Sequence, residues 1–375
     1  MQWRLAAMAM CLAAMPAGAM ASTLGAYADL KVEAWSNGVP VLALEGDWSK
    51  GYEPRSGDQR AYEMARAEAG VRFNPGWDGL DAPWAIGLLA RADGSARLSG
   101  PAAQVLALYQ SRTDPAAPGQ YDARSRILFW TGRGLSVHTP TLAWGGFKAD
   151  LGWDHMTLHR LRSMQTQGLA AYNADGSYTY KLNVRDDSWH TTEPFIHPPA
   201  SNGWGDAVSL GLSWRDGAPT GGAWAGVRPT WVSFKVDDAW SRLQWQGING
   251  NDAVVNSQVA NRTPDGRIDY QAAIRGQYTR RTLVERIPVT TQLGLGWARL
   301  EGDWSLQVQH RLGLWQHWVS WQSPGTVRWL VAAEPVAKAL RLGVDWGGLS
   351  ASVMTDKLDT AAHVRGGQLS WVSDF

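Results

Sequence analysis

The chain ends Gly366-Gly367-Gln368-Leu369-Ser370-Trp371-Val372-Ser373-Asp374-Phe375. The run has strand length and a period of two. Leu369, Trp371, Ser373 and Phe375 share one face; Gln368, Ser370, Val372 and Asp374 share the other. One face suits an apolar medium and the other suits water.

The same alternation recurs upstream. Tyr178, Tyr180, Leu182 and Val184 alternate with Thr179, Lys181, Asn183 and Arg185. Val208, Leu210, Leu212 and Trp214 alternate with Ser209, Gly211, Ser213 and Arg215, and Ile268, Tyr270 and Ile274 with Asp269, Gln271 and Arg275. A soluble antiparallel sheet also alternates, so the strand number and the aromatic strand ends have to decide. The sequence holds 23 Trp, a residue that favours the membrane–water interface and forms girdles around membrane barrels. Two-residue turns fix register, so apolar faces must coincide across them. Turns at Asp238-Ala239, Gly302-Asp303 and Gly347-Gly348 each bring apolar residues opposite one another: Phe234 with Leu243, Trp297 with Val308, and Val344 with Ala351.

Elsewhere the expectations are coarser. Trp84 to Ala92 and Ala102 to Arg112 read as strands, flanking an Asp93-Gly94 turn and a Gly100-Pro101 break. Gly247 to Gly266 and Asp356 to Arg365 read as outer loops, and Asp186 to Asp206 as a polar segment that breaks the rhythm. Trp315, Trp318 and Trp321 read as a girdle, with a greasy sugar track as the alternative. Glu45-Gly46-Asp47-Trp48-Ser49 recurs at Glu301 to Ser305 as a repeated turn chemistry.

The N-terminus carries Arg4, an apolar run from Leu5 to Met15 and Ala19-Met20-Ala21, so residues 1–21 are expected to be a signal peptide and 22–375 one barrel domain. Cys11 falls in the first part, which leaves the remainder without a thiol, a disulfide or a cysteine metal site. A net charge of +1 argues against nucleic acid as a partner.

A terminal aromatic strand of this kind resembles the closing strand of bacterial outer-membrane β-barrel proteins. The resemblance implies residence in the cell outer membrane, contact with its lipid, and recognition of Leu369, Trp371 and Phe375 by the barrel-assembly machinery. The expected fold is all-β: a transmembrane antiparallel up-and-down β-barrel of about 16 strands, within roughly 14–18.

Lys181, Arg185, Arg215, Asp269, Arg275 and Arg311 fall on the polar faces and are the candidate pore-lining set. Arginines along a pore hold anions by forked hydrogen bonds, or else brace the interior by pairing with carboxylates. His190, Glu193 and His197 lack metal-site spacing on a regular element. Outer-membrane lipid hydrolases carry His-x-Ser within a strand, whereas Pro198-Pro199-Ala200 separates His197 from Ser201 here, so no catalytic role is transferred. With no phosphate loop, nucleophile elbow or dinucleotide fingerprint, no cofactor and no enzyme activity are implied. The expected function is a passive channel for small hydrophilic solutes, anionic or sugar-like. An export or surface-assembly component is the first alternative and a lipid-modifying enzyme the second, and homo-oligomerisation is left open.

Overall fold

The computed structural model describes residues 24–41, 52–53, 57–74, 83–188, 203–216, 229–262, 264 and 268–374. The signal peptide, the Glu45 to Ser49 repeat, His190, His197, Ser201 and Phe375 lie outside them. In chain order the elements are β1 (Leu24–Ser36), β2 (Gln59–Phe73), β3 (Trp84–Leu98), α1 (Gly100–Ser111), β4 (Gly119–Asp122), β5 (Ser125–His138), β6 (Leu142–Trp144), β7 (Phe147–Tyr172), β8 (Tyr178–Ser188), β9 (Gly203–Arg215), β10 (Trp231–Arg262), β11 (Ile268–Glu285), β12 (Thr290–Trp297), β13 (Asp303–Arg311), β14 (Leu314–Gln322), β15 (Val327–Glu334), β16 (Ala339–Trp346), β17 (Leu349–Thr355) and β18 (Val364–Asp374).

Neighbours pair antiparallel, and β18 closes on β1 from Gly25 opposite Asp374 to Trp35 opposite Val364. The ladder is a closed up-and-down barrel of 14 positions rather than about 16. The difference has a local cause. β8 and β9 both lie between β7 and β10, one above the other, and so share a position. β11 and β12 share another beside β10. β4 and β6 are short strands outside the count. Residues 189–202 of the Asp186 to Asp206 segment lie outside the described residues, and the strands on either side of them end in mid-wall, Ser188 opposite Asn249 and Gly203 opposite Trp245.

Both described ends of the chain and the Gly347-Gly348 turn lie at one rim, the periplasmic one; long strands rise at the other. The outward face carries Leu88, Leu151, Phe234, Leu293, Leu342, Val353, Leu369 and Trp371, all exposed. A closed barrel with such a belt is the architecture of an outer-membrane protein, since only closure satisfies every backbone group in lipid. Trp297, Trp304 and Trp321 are successive partners at the periplasmic end, and Trp346 and Trp371 continue the girdle across Leu349.

Several expectations need correction. Asp238-Ala239 is no hairpin turn: β10 runs straight through it, and the apparent match of apolar faces comes from a bulge that leaves the alternation in phase. The Gly302 hairpin exists, but Trp297 pairs with Trp304 instead of Val308, because the connection spans 298–302. The Gly347-Gly348 turn has the expected register, with Val344 opposite Ala351. Its glycines take φ of 54° and 83°, the left-handed values a two-residue hairpin demands. Asp93-Gly94 lies inside β3. Residues 102–111 form helix, because Ser99 accepts the Ala102 amide as an N-cap and Pro101 sits in the first turn. Most of Gly247 to Gly266 is strand. Trp318 points inward, 3% exposed, with its ring edge-on to Trp35 at 6.2 Å.

Candidate functional site

The inward faces meet across the lumen. On β3, Arg91 forks both terminal nitrogens onto the Asp238 carboxylate at 2.7 Å each, and its Nε donates to Asp93 at 2.7 Å. Arg311, from β13, donates to the other Asp93 oxygen. Around the 14 positions, β3 and β10 are four apart and β3 and β13 six apart, so these bonds span the barrel. Glu33 on β1 likewise accepts from Gln309 at 3.0 Å, from Gln316 at 3.1 Å and from the Tyr62 hydroxyl. The Arg311 guanidinium lies 4.6 Å from the Tyr62 ring centre.

Asp238 reaches this place through backbone geometry. Val236 pairs with Leu210 and Trp240 with Val208, so three β10 residues oppose Ser209 alone. Asp238 takes φ 57°, a left-handed value that Asp tolerates better than most residues. Its amide donates to Ser209 Oγ at 3.2 Å. A bulge that re-aims a side chain is a recurrent device next to functional sites.

A second knot lies nearer the periplasm. Arg66 binds Asp154 at 3.0 Å and Glu68 at 2.7 Å; Glu68 also meets the Tyr27 hydroxyl at 2.5 Å and His138 Nε2 at 2.9 Å. Above that knot the inner wall of β5, β7 and β10 is packed with Trp130, Met156, Leu158, Leu161, Leu243 and Trp245. Gly205 lets that packing close: a Cβ there would sit 2.5 Å from Leu243. Glu33, Arg91, Asp93, Asp238, Gln309, Arg311 and Gln316 are each no more than 7% exposed. The described side chains therefore form a constriction of buried, mutually paired charges.

Above it the inner face changes character. One rung of cross-strand partners runs Arg60, Arg97, Arg126, Gln165, Arg185, Asp252, Gln277 from β2 to β11. All of these but Arg60 border a vestibule of about 800 Å³, into which Arg97, Arg124, Arg126, Arg185 and Arg275 project against Asp58 and Asp252. Some are tied. Arg126 reaches across to Glu285 at 2.7 Å, Arg124 meets Asp122 at 2.6 Å, and Arg185 meets Asp187 at 3.0 Å. Asp187 also faces Arg281 at 3.0 Å. Arg97 and Arg275 have no acid partner among the described residues. Five guanidinium groups against two carboxylates give the lining an excess of positive charge.

The candidate set from the sequence is dispersed over several levels. Arg185 and Arg275 line the vestibule, and Lys181 lies on the same face higher up, opposite Leu169 and Asn256. Arg311 belongs to the constriction. Arg215 ends β9 at the periplasmic mouth, opposite Trp231. Asp269 pairs with Asn261 in β11, and its side chain lies outside the described residues. Leu369 and Trp371 face outward on the closing strand. The sequence reading missed Glu33, Arg91, Asp93, Asp238, Arg97 and Arg126. Arg91 and Asp93, two apart in one alternating run, were the available signal for a charged inner face.

No protein-family model matches the chain, and no curated protein matches it. Among solved structures it is similar to the TodX deltaS2S3 mutant monoaromatic hydrocarbon channel, at 9% identity and a TM-score of 0.40, over 95% of this chain and 90% of that one. It is also similar to the siderophore receptor PirA from Pseudomonas aeruginosa, at 9% identity and a TM-score of 0.18 (96% and 81% covered), and to Acinetobacter baumannii OccAB3, at 7% and 0.17 (95% and 100% covered). The barrel assignment rests on this chain's own closed ladder and apolar belt.

Proposed function

We propose that this barrel is an outer-membrane channel for small anionic solutes, which collect in the vestibule and pass when the constriction rearranges. The observation that supports it most is the arginine rung standing directly over a sealed layer of paired charges. Guanidinium groups bind carboxylate or phosphate in forked pairs and stay charged at any relevant pH. Gln165, Gln167, Asn183 and Gln277 line the same chamber and suit hydroxyl groups, which extends the reading to acidic sugars. A chamber of about 800 Å³ is in the range of small-molecule sites. The salt bridges below are the gating element: an arriving anion competes with Asp93 and Asp238 for Arg91 and Arg311.

Planar-bilayer recording of the refolded protein tests this. The wild type should open rarely and pass anions over cations, and the Arg91→Gln/Asp238→Asn pair should open more often. Arg97→Gln/Arg275→Gln should lower the anion preference; cation preference in the wild type, or selectivity untouched by that pair, would refute the reading. The sealed lumen favours a second reading, a surface or export component that engages partners through its extracellular strands. A barrel that folds yet stays silent in the Arg91→Gln/Asp238→Asn variant would select it.

A further inference from the structure

The outer wall is not uniform along the barrel axis. β16 and β17 present Leu340, Leu342, Val344, Trp346, Ala351 and Val353 outward. The sector formed by β5, β7, β9 and β10 begins the same way, with Leu151, Leu210 and Phe234, up to Trp153 and Trp240. One rung higher it turns basic. His155 lies opposite Leu135 and Asp206, and Arg242 lies opposite Asp206. Arg133 faces Thr157 on the next rung, and Arg160 and Arg162 follow above.

Height decides what this cluster meets. Eight residues separate Trp214, at the periplasmic girdle, from Asp206. At about 3.4 Å per residue and a tilt of roughly 40°, that is about 20 Å along the barrel axis. Arg133 lies two residues further up and Arg160 and Arg162 beyond it, at or above the top of an apolar band of about 25 Å. They therefore stand at the headgroups of the outer leaflet, and Arg242 snorkels towards the same level over the Trp204 ring, 5.5 Å from its centre.

Among the described residues most of this charge has no acid partner. Arg133 donates its Nε to His159 at 2.7 Å, a contact between two basic residues with no acid between them. Asp206 is occupied by His155 at 2.9 Å, and Arg162 is 3.9 Å from Asp186. Arg133, Arg160 and Arg242 have no acid partner among the described residues. Arg162 is 59% exposed and His155 50%.

We propose that this sector is a binding site for a phosphorylated glycolipid of the outer leaflet, whose phosphate groups are held by Arg133, Arg160 and Arg162 while its acyl chains lie on Leu135, Trp153 and Trp240. The site lies outside the lumen and is independent of the channel reading.

Native mass spectrometry of the refolded barrel with bisphosphorylated lipid A tests it. Wild-type protein should retain the lipid, and Arg133→Gln/Arg160→Gln/Arg162→Gln should retain on the order of a hundredfold less, each basic residue near an anionic lipid surface contributing about 1 kcal/mol. Arg328→Gln, at the periplasmic end, should match the wild type. Fully dephosphorylated lipid A should bind wild type and triple variant alike. Equal retention of the bisphosphorylated lipid by both proteins would overturn the site, as would displacement of the lipid by millimolar inorganic phosphate, which would mark a free-anion site. Should the triple variant misfold, Arg160→Gln/Arg162→Gln, at two exposed positions, gives the same readout at smaller amplitude. Protein dimers carrying no lipid would assign the sector to a second copy of the chain and equally overturn the proposal.

Discussion

The two halves of this barrel solve different problems with the same ladder. From β12 to β18 the strands run 7 to 11 residues and the tightest connections are Leu312-Gly313 and Gly347-Gly348. That is about what a tilted strand needs to cross an outer membrane. From β7 to β11 the strands reach 26 and 32 residues, far beyond the bilayer. The short half is wall: apolar outward, and largely Ser, Gln and Gly inward. The tall half is wall and then superstructure, and it holds the vestibule and the headgroup-level cluster. The constriction ties the two together through β3, whose Arg91 reaches Asp238 of the tall half and whose Asp93 meets Arg311 of the short half. The tall half also carries bulges, at 237–239 and 246–247 in β10, that re-aim side chains.

Removing a charge from the contact between the halves should produce the largest effect. Asp238→Ala leaves Arg91 buried with its fork unmet and should cost about 3–5 kcal/mol, whereas replacing Arg91 and Asp238 together by apolar residues should recover most of it. Ser305→Ala in the short half removes one hydroxyl pair, to Ser320, and should cost about 1 kcal/mol. Urea midpoints of the refolded protein measure both; equal losses would erase the distinction between a charged contact layer and a plain wall.

Next comes the lipid boundary. Leu342→Arg, halfway along β16 and facing outward, should cost about 2–4 kcal/mol in bilayers. Asn251→Arg, on β10 beyond the membrane and facing outward opposite Tyr278, should cost roughly 0–1 kcal/mol. Equal penalties in a vesicle refolding assay would mean that β10 does not leave the bilayer as described.

The smallest effect concerns the loop between β17 and β18. Burial alone would raise the Asp356 carboxyl, but hydrogen bonds from His363 and from the Val364 and His363 amides outweigh it and hold it below the usual aspartate range. A carboxyl depressed in the folded state stabilises it above the unfolded value, near about 3.9, and loses that stabilisation as pH falls through the lower folded value. Asp356→Asn should flatten this acid limb of the thermal stability profile with little change at neutral pH. An acid limb identical to the wild type would place the sensitivity elsewhere, with the buried carboxylates of the tall half as the first candidates.

How much of this was legible in the residues follows the same division. In the short half, alternation is uninterrupted and the turns carry left-handed glycines, so Trp346 and Leu349 could be paired by inspection. In the tall half, Asp238-Ala239 imitates a turn because a bulge with two extra residues preserves parity. Residues 102–111 alternate well enough to pass as strand although Ser99-Gly100-Pro101 announces a helix. Two barrel positions are each filled by two strands, and periodicity has no means of reporting that. The candidate site was legible as a list of inward arginines but not as a site, since Arg185 and Arg311 look alike in sequence yet stand in a vestibule and a buried constriction.

By itself the sequence determined the class of fold and the two faces of most strands, because period-two alternation and the placement of Trp are local properties that lipid and water sort without reference to distant residues. The closure at 14 positions, the sealing of the lumen and the separation of vestibule from constriction were decided only in three dimensions. They depend on which residues meet across the barrel, over sequence separations such as 147 for Arg91 with Asp238 and 218 for Arg311 with Asp93. No local pattern encodes such meetings; they arise when strand register, bulges and closure fix the distance between opposite walls.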